Sequence, residues 1–197
     1  MDTDRTNGAD VNSDLKTRNE VLANLRGEDS ESFKEKDKER QEIIDEAKQY
    51  CYKNPKDWPI LVFNWDLKAK SQRHALDGLT QKEFEEYNPQ GLCLGYVVLQ
   101  NFDEKLSRRN RRTEDDLWKV GDKSKLAQAI AYAARGLPIT PPIATVTIDA
   151  KEVCLAGGNH RYTAAKFSGE AKIPIYVAPN DVKAVSELVT VCWCKAS

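Results

Sequence analysis

The sequence predicts an α+β fold, a small mixed sheet with packed helices, preceded by a charged helical arm. Short β-branched apolar runs at 92–99, 143–148 and 173–177 alternate with segments whose apolar residues recur at helical spacing. A reversal at Asp149-Ala150-Lys151-Glu152 between two apolar runs marks a hairpin. Gly157-Gly158 stands where a strand hands over to a helix. With 197 residues, 40% of them hydrophobic, the chain can build one core of moderate size and still carry a tail.

Residues 1–57 form the predicted arm, and residues 58–197 the folded domain. The stretch 1–30 has few large apolar groups beyond Val21, Leu22 and Leu25, so a mobile tail is expected there. From Glu31 to Tyr52 the composition favours a helix, with a thin apolar stripe of Phe33, Ile43, Ile44 and Ala47 among Lys and Glu. Pro55 and Pro59 punctuate the next segment, and Ile60-Leu61-Val62-Phe63 reads as either a buried strand or a helix start. Thr80-Gln81-Lys82-Glu83 has capping-box spacing, so a helix runs to about Tyr87 before Asn88-Pro89-Gln90-Gly91 breaks it. Leu92 to Leu99 is an apolar central strand.

Asp122 opens a helix over Lys123 to Arg135, with Leu126, Ala129, Ile130 and Ala133 on one face and Gly136 at its end. Pro138, Pro141 and Pro142 stop it, and Ile143–Ile148 and Val153–Ala156 pair as the hairpin. A helix then runs through Phe167 to a stop at Gly169, followed by a strand from Ile173 to Val177. Pro179-Asn180-Asp181 begins the last helix.

The net charge of -1 gives no global attraction to nucleic acid, but it hides a split. Residues 1–57 carry 11 Lys and Arg against 15 Asp and Glu, whereas 58–197 carry 19 against 16. No apolar run is long enough for a membrane span and no signal-peptide core precedes the domain. Five scattered cysteines do not form a secreted disulfide framework, so a cytoplasmic protein is expected.

The chemistry concentrates at Ala156-Gly157-Gly158-Asn159-His160-Arg161-Tyr162. A helix N-terminus offers unpaired N–H groups and the positive end of the helix dipole, which suits phosphate. His160 and Arg161 add side-chain donors, and a guanidinium can hold two phosphate oxygens at once. The densest positive cluster is Lys105-Leu106-Ser107-Arg108-Arg109-Asn110-Arg111-Arg112, followed by Glu114-Asp115-Asp116. It reads as a solvated loop whose charges partly cancel, or as a strip for a nucleic-acid backbone through Arg108, Arg109, Arg111 and Arg112. Asp122 is a helix cap or a carboxylate able to orient water or a metal, and Glu114, Asp115 and Asp116 are weaker candidates. His74 reads as a surface residue, Cys154 as a small core hydrophobe, and Cys192-Trp193-Cys194 as packing.

Asp122-Lys123-Ser124-Lys125-Leu126, Pro141-Pro142-Ile143, Gly157-Gly158-Asn159-His160-Arg161-Tyr162-Thr163-Ala164 and Ile173-Pro174, in that order, resemble the ParB/sulfiredoxin superfamily. The Gly-Gly-x-His-Arg-Tyr-x-Ala form is most similar to sulfiredoxin, and the likeness covers roughly residues 92–180. Within the superfamily, plasmid-borne proteins of the oncogenic-suppression (Osa) or fertility-inhibition type are similar in size. The resemblance implies a nucleotide site at Gly157, Gly158, Asn159, His160 and Arg161, with Lys125 as a further phosphate-facing residue. Sulfiredoxins carry their reactive cysteine where this chain has Asn159, and a carboxamide cannot form the sulfur-linked intermediate.

The expected function is therefore ATP binding and hydrolysis, with magnesium, joined to cleavage of a DNA backbone. His160, Arg161 and Asp122 are the expected catalytic residues. In a plasmid context such a protein would suppress conjugative or type IV secretion-mediated DNA transfer through a protein partner in that machinery. A kinase acting on a small molecule or protein is the second reading, and a non-enzymatic DNA- or protein-binding adaptor the third. No helix-turn-helix follows the core, which argues against an ordinary centromere-reading partition protein.

Overall fold

The computed structural model describes Val21 and residues 30–76, 79–149 and 151–194. The chain divides into two units, residues 1–45 and 46–197. Most of the expected N-terminal tail lies outside the described residues. Helix α1, Ser30–Ala47, fills most of the span expected to be helical and crosses the division between the units.

The larger unit is an α+β domain, as the alternation of strand-like and helix-like runs requires. Its elements in order are β1 (Asn64–Trp65), α2 (Gln81–Tyr87), β2 (Cys93–Val98), α3 (Leu99–Lys105), α4 (Lys123–Ala134) and β3 (Pro138–Ile139). They continue with β4 (Ile143–Val146), β5 (Val153–Gly157), α5 (Asn159–Phe167), β6 (Lys172–Val177), α6 (Val182–Leu188) and β7 (Cys192–Trp193). Five strands form one sheet in the order β5-β4-β6-β2-β7, and β1 pairs with β3 in a separate parallel ladder. The hairpin β4–β5 is antiparallel, β6 returns beside β4 in parallel through α5, and β2 lies antiparallel to both β6 and β7.

The central strand β6 is buried at every position after Lys172. Alternation therefore sends its side chains into two cores. Ile173, Ile175 and Val177 join Val97, Phe102, Leu106, Val153, Leu155, Tyr162 and Val185 in the main core. Tyr176 faces the other way, with Ile143, Leu92, Phe84 and Ala75. Pro174 sits opposite Tyr96 of β2, at a point where β6 has no registered partner on its β4 side. The lost N–H is tolerated there.

Thr80 caps α2 with the complete reciprocal box to Glu83, and Asp122 caps α4. Gly136 and Gly169 take positive φ just beyond the ends of α4 and α5, as helix stops. Three local expectations need correction. Ile60–Phe63 is neither strand nor helix, and Ile60 and Val62 are exposed. The only strand there is the short β1, which borrows the edge of β3. Leu99 does not end β2; it opens α3, whose Leu99 and Phe102 enter the core. Cys192 on the edge strand β7 and Cys194 just beyond it are exposed, while Trp193 between them turns inward onto the main core.

Candidate functional site

The turn from β5 into α5 is shaped by the protein around it. Gly158 has φ +79 and caps α5 without any side-chain acceptor, so the first N–H groups of the helix receive no cap of that kind. A Cβ at Gly158 would stand 2.7 Å from Pro142 Cα, and one at Gly157 2.4 Å from the Ala75 carbonyl oxygen. Close backbone approach at both positions, together with the positive φ of Gly158, is why two glycines stand here.

Arg161 fastens the same turn. Its Nη1 donates to the carbonyls of Thr140 at 2.8 Å and His74 at 3.4 Å, and its Nη2 to Ala75 at 2.9 Å. The fork expected to hold phosphate is thus engaged with main-chain oxygens from two other segments. The exposed His74 contributes its carbonyl to this clasp.

The second half of the site comes from the basic loop, whose four arginines separate in space. Arg108 is exposed and pairs with Asp116 at 2.9 Å, and the exposed side chain of Arg109 makes no hydrogen bond or ion pair among the described residues. Arg111 folds back on the carbonyls of Glu104 at 2.7 Å and Leu106 at 3.0 Å. Arg112 is buried, 7% exposed, and donates through Nη1 to the carbonyls of Arg109 at 2.8 Å and Arg111 at 3.3 Å. Among the described residues it forms no ion pair. Burial pushes its guanidinium below the ordinary arginine value and the charge of Arg108 acts the same way, while Asp116 opposes both. An arginine nevertheless stays protonated.

The free side of Arg112 faces the start of α5. With the Asn159 carboxamide turned so that both ends find partners, its oxygen accepts from Arg112 Nη2 at 3.3 Å and its nitrogen donates to the Asn110 carbonyl at 3.2 Å. Gly121 completes the wall, since a Cβ there would lie 3.3 Å from His160 Nε2 and 3.7 Å from Arg112 Nη2. The N-termini of α4 and α5 therefore meet beside one buried cation.

Asp122 belongs to this meeting point. Its Oδ1 accepts from Ser124 Oγ at 2.7 Å and from the N–H groups of Ser124 at 2.9 Å and Lys125 at 3.3 Å. The Ser124 hydroxyl, then those N–H groups, then the charge of His160 hold the carboxyl below its usual range. Asp122 is a carboxylate at neutral pH. Lys125 is exposed one turn into α4. Among the described residues no three His, Cys, Asp or Glu side chains converge as a metal cage.

Sequence reasoning missed the supports. Lys166 of α5 donates to both oxygens of Asp103 on α3, at 2.9 and 2.8 Å, and to the Arg112 carbonyl at 2.7 Å. Tyr162 donates to the same carboxylate, and burial together with that acid raises its phenol well above the ordinary value. Asn110 pairs with Leu155 of the edge strand β5 like a strand residue, at 3.1 and 3.4 Å. Ser107 Oγ donates to Asn110 Oδ1 at 3.0 Å and accepts from the half-buried Cys154 at 3.4 Å. These bonds fix the loop that carries Arg112 onto the sheet. The only sequence signal was Asn and Ser inside an arginine run, polar residues able to satisfy an exposed strand edge.

No family model matches the chain, and neither curated proteins nor solved structures yield a match. No helix among the described residues is long and apolar enough to cross a membrane.

Proposed function

We propose that the chain binds the phosphates of a nucleotide where the N-termini of α4 and α5 meet, and hydrolyses phosphorus–oxygen bonds there. The observation that carries this reading is Arg112, a buried guanidinium without an ion pair among the described residues, aimed at Asn159 beside the dipole end of α5. Burying a cation against a positive helix end is unfavourable unless an anion joins them. The order of motifs resembling the ParB/sulfiredoxin superfamily points the same way and makes ATP the first ligand to test.

In this reading Arg112, His160 and the first N–H groups of α5 hold the phosphates, with Lys125 at the rim. Arg161 keeps the Gly157-Gly158 turn in place. Asp122 is an ionised carboxylate beside the bound phosphate, so a divalent cation such as magnesium fits as the companion of the phosphates. That cation would stabilise charge building on the transferred phosphoryl group. Water attacks phosphorus, the bond to the leaving diphosphate breaks, and the proton of the attacking water passes to Asp122 or His160. The same chemistry on a DNA phosphodiester would nick the strand, with Arg108 and Arg109 as exposed contacts for the backbone. Suppression of conjugative or type IV secretion-mediated transfer is the cellular role this activity would serve.

The test is phosphate release from ATP, and nicking of supercoiled DNA, by the full chain and its Arg112→Gln and His160→Gln variants. Both activities should fall at least tenfold in folded variants. Unchanged turnover in both would remove the site. Label appearing on an added hydroxyl acceptor instead of as free phosphate would make the protein a kinase.

A further inference from the structure

Tyr52 is the only non-glycine residue with positive φ among the described residues, at +63. A bulky side chain in that region is strained and persists only where surroundings enforce it. Here the strain holds an aromatic ring outward, 65% exposed. Trp118 lies against it, ring centroids 5.9 Å apart and tilted by 42°. The indole nitrogens of Trp118 and Trp58 both donate to the Lys53 carbonyl, at 2.8 and 3.2 Å, which fixes both rings around residue 53. Lys123 sets its ammonium 4.9 Å from the centre of the Tyr52 ring and donates to its hydroxyl at 2.8 Å.

We infer that Tyr52 and Trp118, with Lys123, form a stacking platform for an unpaired base of single-stranded nucleic acid. Every base offers a π face to an exposed ring, and stacking is indifferent to sequence. A cationic ligand is disfavoured, because Lys123 already occupies the electron-rich ring and would repel it. Lys53, Lys56, Lys119 and Lys123 border the three aromatic residues in sequence, against Asp57, Asp115, Asp116 and the helix cap Asp122, of which Asp116 is already paired with Arg108. Cations beside an aromatic face suit a ligand with π surfaces and an anionic backbone. A free mononucleotide could use only one exposed ring, whereas a strand adds phosphate contacts on either side. This inference rests on the reading that the chain meets nucleic acid, but not on the phosphate site at α5.

The experiment is anisotropy of a labelled 20-mer of thymidylate, single-stranded and then as a duplex, together with quenching of tryptophan fluorescence, on the full chain. Wild type should prefer the single strand and lose indole emission on binding. Tyr52→Gly should bind roughly tenfold more weakly while keeping its melting temperature, because glycine relieves the positive φ; Trp118→Leu should do the same to affinity. Tyr52→Gly should leave ATP hydrolysis unchanged, so a failure of the phosphate site and a failure of the platform read out separately. Equal affinity for duplex and single strand, absence of binding, or undiminished binding by Tyr52→Gly would overturn the platform. Quenching by ATP alone, with no response to the oligonucleotide, would overturn it in favour of a mononucleotide.

Discussion

Replacing Gly158 by alanine separates conformational strain from close packing at the turn that enters α5. Two effects add. Alanine in the left-handed region costs about 1–2 kcal/mol. The new Cβ would also stand 2.7 and 2.9 Å from Pro142 Cα and Cβ and 3.0 Å from Arg161 Nη2. Pro142 is buried and its carbonyl accepts from Tyr176 of the central strand at 2.9 Å, so it cannot retreat cheaply. Overpacking of this kind costs roughly 1–3 kcal/mol. The sum, about 3 kcal/mol, is a large share of the ~5–15 kcal/mol that holds a domain together.

Gly169 provides the control, because it has φ +85 and nothing within 4 Å of an added Cβ. Gly169→Ala should therefore cost only about 1 kcal/mol. Gly157→Ala isolates the other effect, with ordinary φ but a Cβ 2.4 Å from the Ala75 carbonyl, and should fall between the two. Urea unfolding followed by circular dichroism gives all three values, provided the slopes agree. Gly158→Ala no more destabilising than Gly169→Ala would refute the close approach.

Arg161→Ala should destabilise by about 2–3 kcal/mol, since it orphans half-buried carbonyls at Ala75 and Thr140, and Arg161→Lys should recover only part in the same urea assay. Asp103→Asn leaves Lys166 without its carboxylate at a site where both side chains are about four-fifths covered, so a loss of roughly 2–4 kcal/mol is expected. Asp122→Ala should cost about 1 kcal/mol through the lost cap of α4. The Asp122 carboxyl has a lowered folded pKa, so its contribution is present above the unfolded value and fades as pH falls through the folded one. The gap between wild type and Asp122→Ala should persist above about pH 5 and close as pH drops below about 4.

Much of the fold was legible where local chemistry and tertiary packing agree. The capping box at Thr80, the cap at Asp122, the stop at Gly169 and the hairpin ending in the Gly157-Gly158 turn all follow from residue type and spacing. Helix α3 was not legible, because Leu99 continues an apolar run and only tertiary packing bends the chain there. Ile60 and Val62 looked like core by composition, yet they are the exposed alternates of an extended segment that sends Phe63 and Trp65 onto the core and is tied by Val62 N–H to the Ala133 carbonyl at 2.9 Å. The site was half legible. The helix start at Asn159 and His160 was visible, but the four arginines of one run have different surroundings, and sequence spacing cannot show that Arg112 alone is buried toward that helix start. Nor could it show that the guanidinium of Arg161 meets carbonyls 21 and 86 residues away.

Calorimetric titration of ATP with magnesium into the full-length chain and its Arg112→Gln variant tests the central claim most directly, with Arg109→Gln as the surface-charge control. Wild type and Arg109→Gln should bind alike, and folded Arg112→Gln should bind at least tenfold more weakly, as loss of one charge-assisted hydrogen bond to phosphate requires. Absence of ATP binding, or equal binding by wild type and Arg112→Gln, would contradict a phosphate site between α4 and α5.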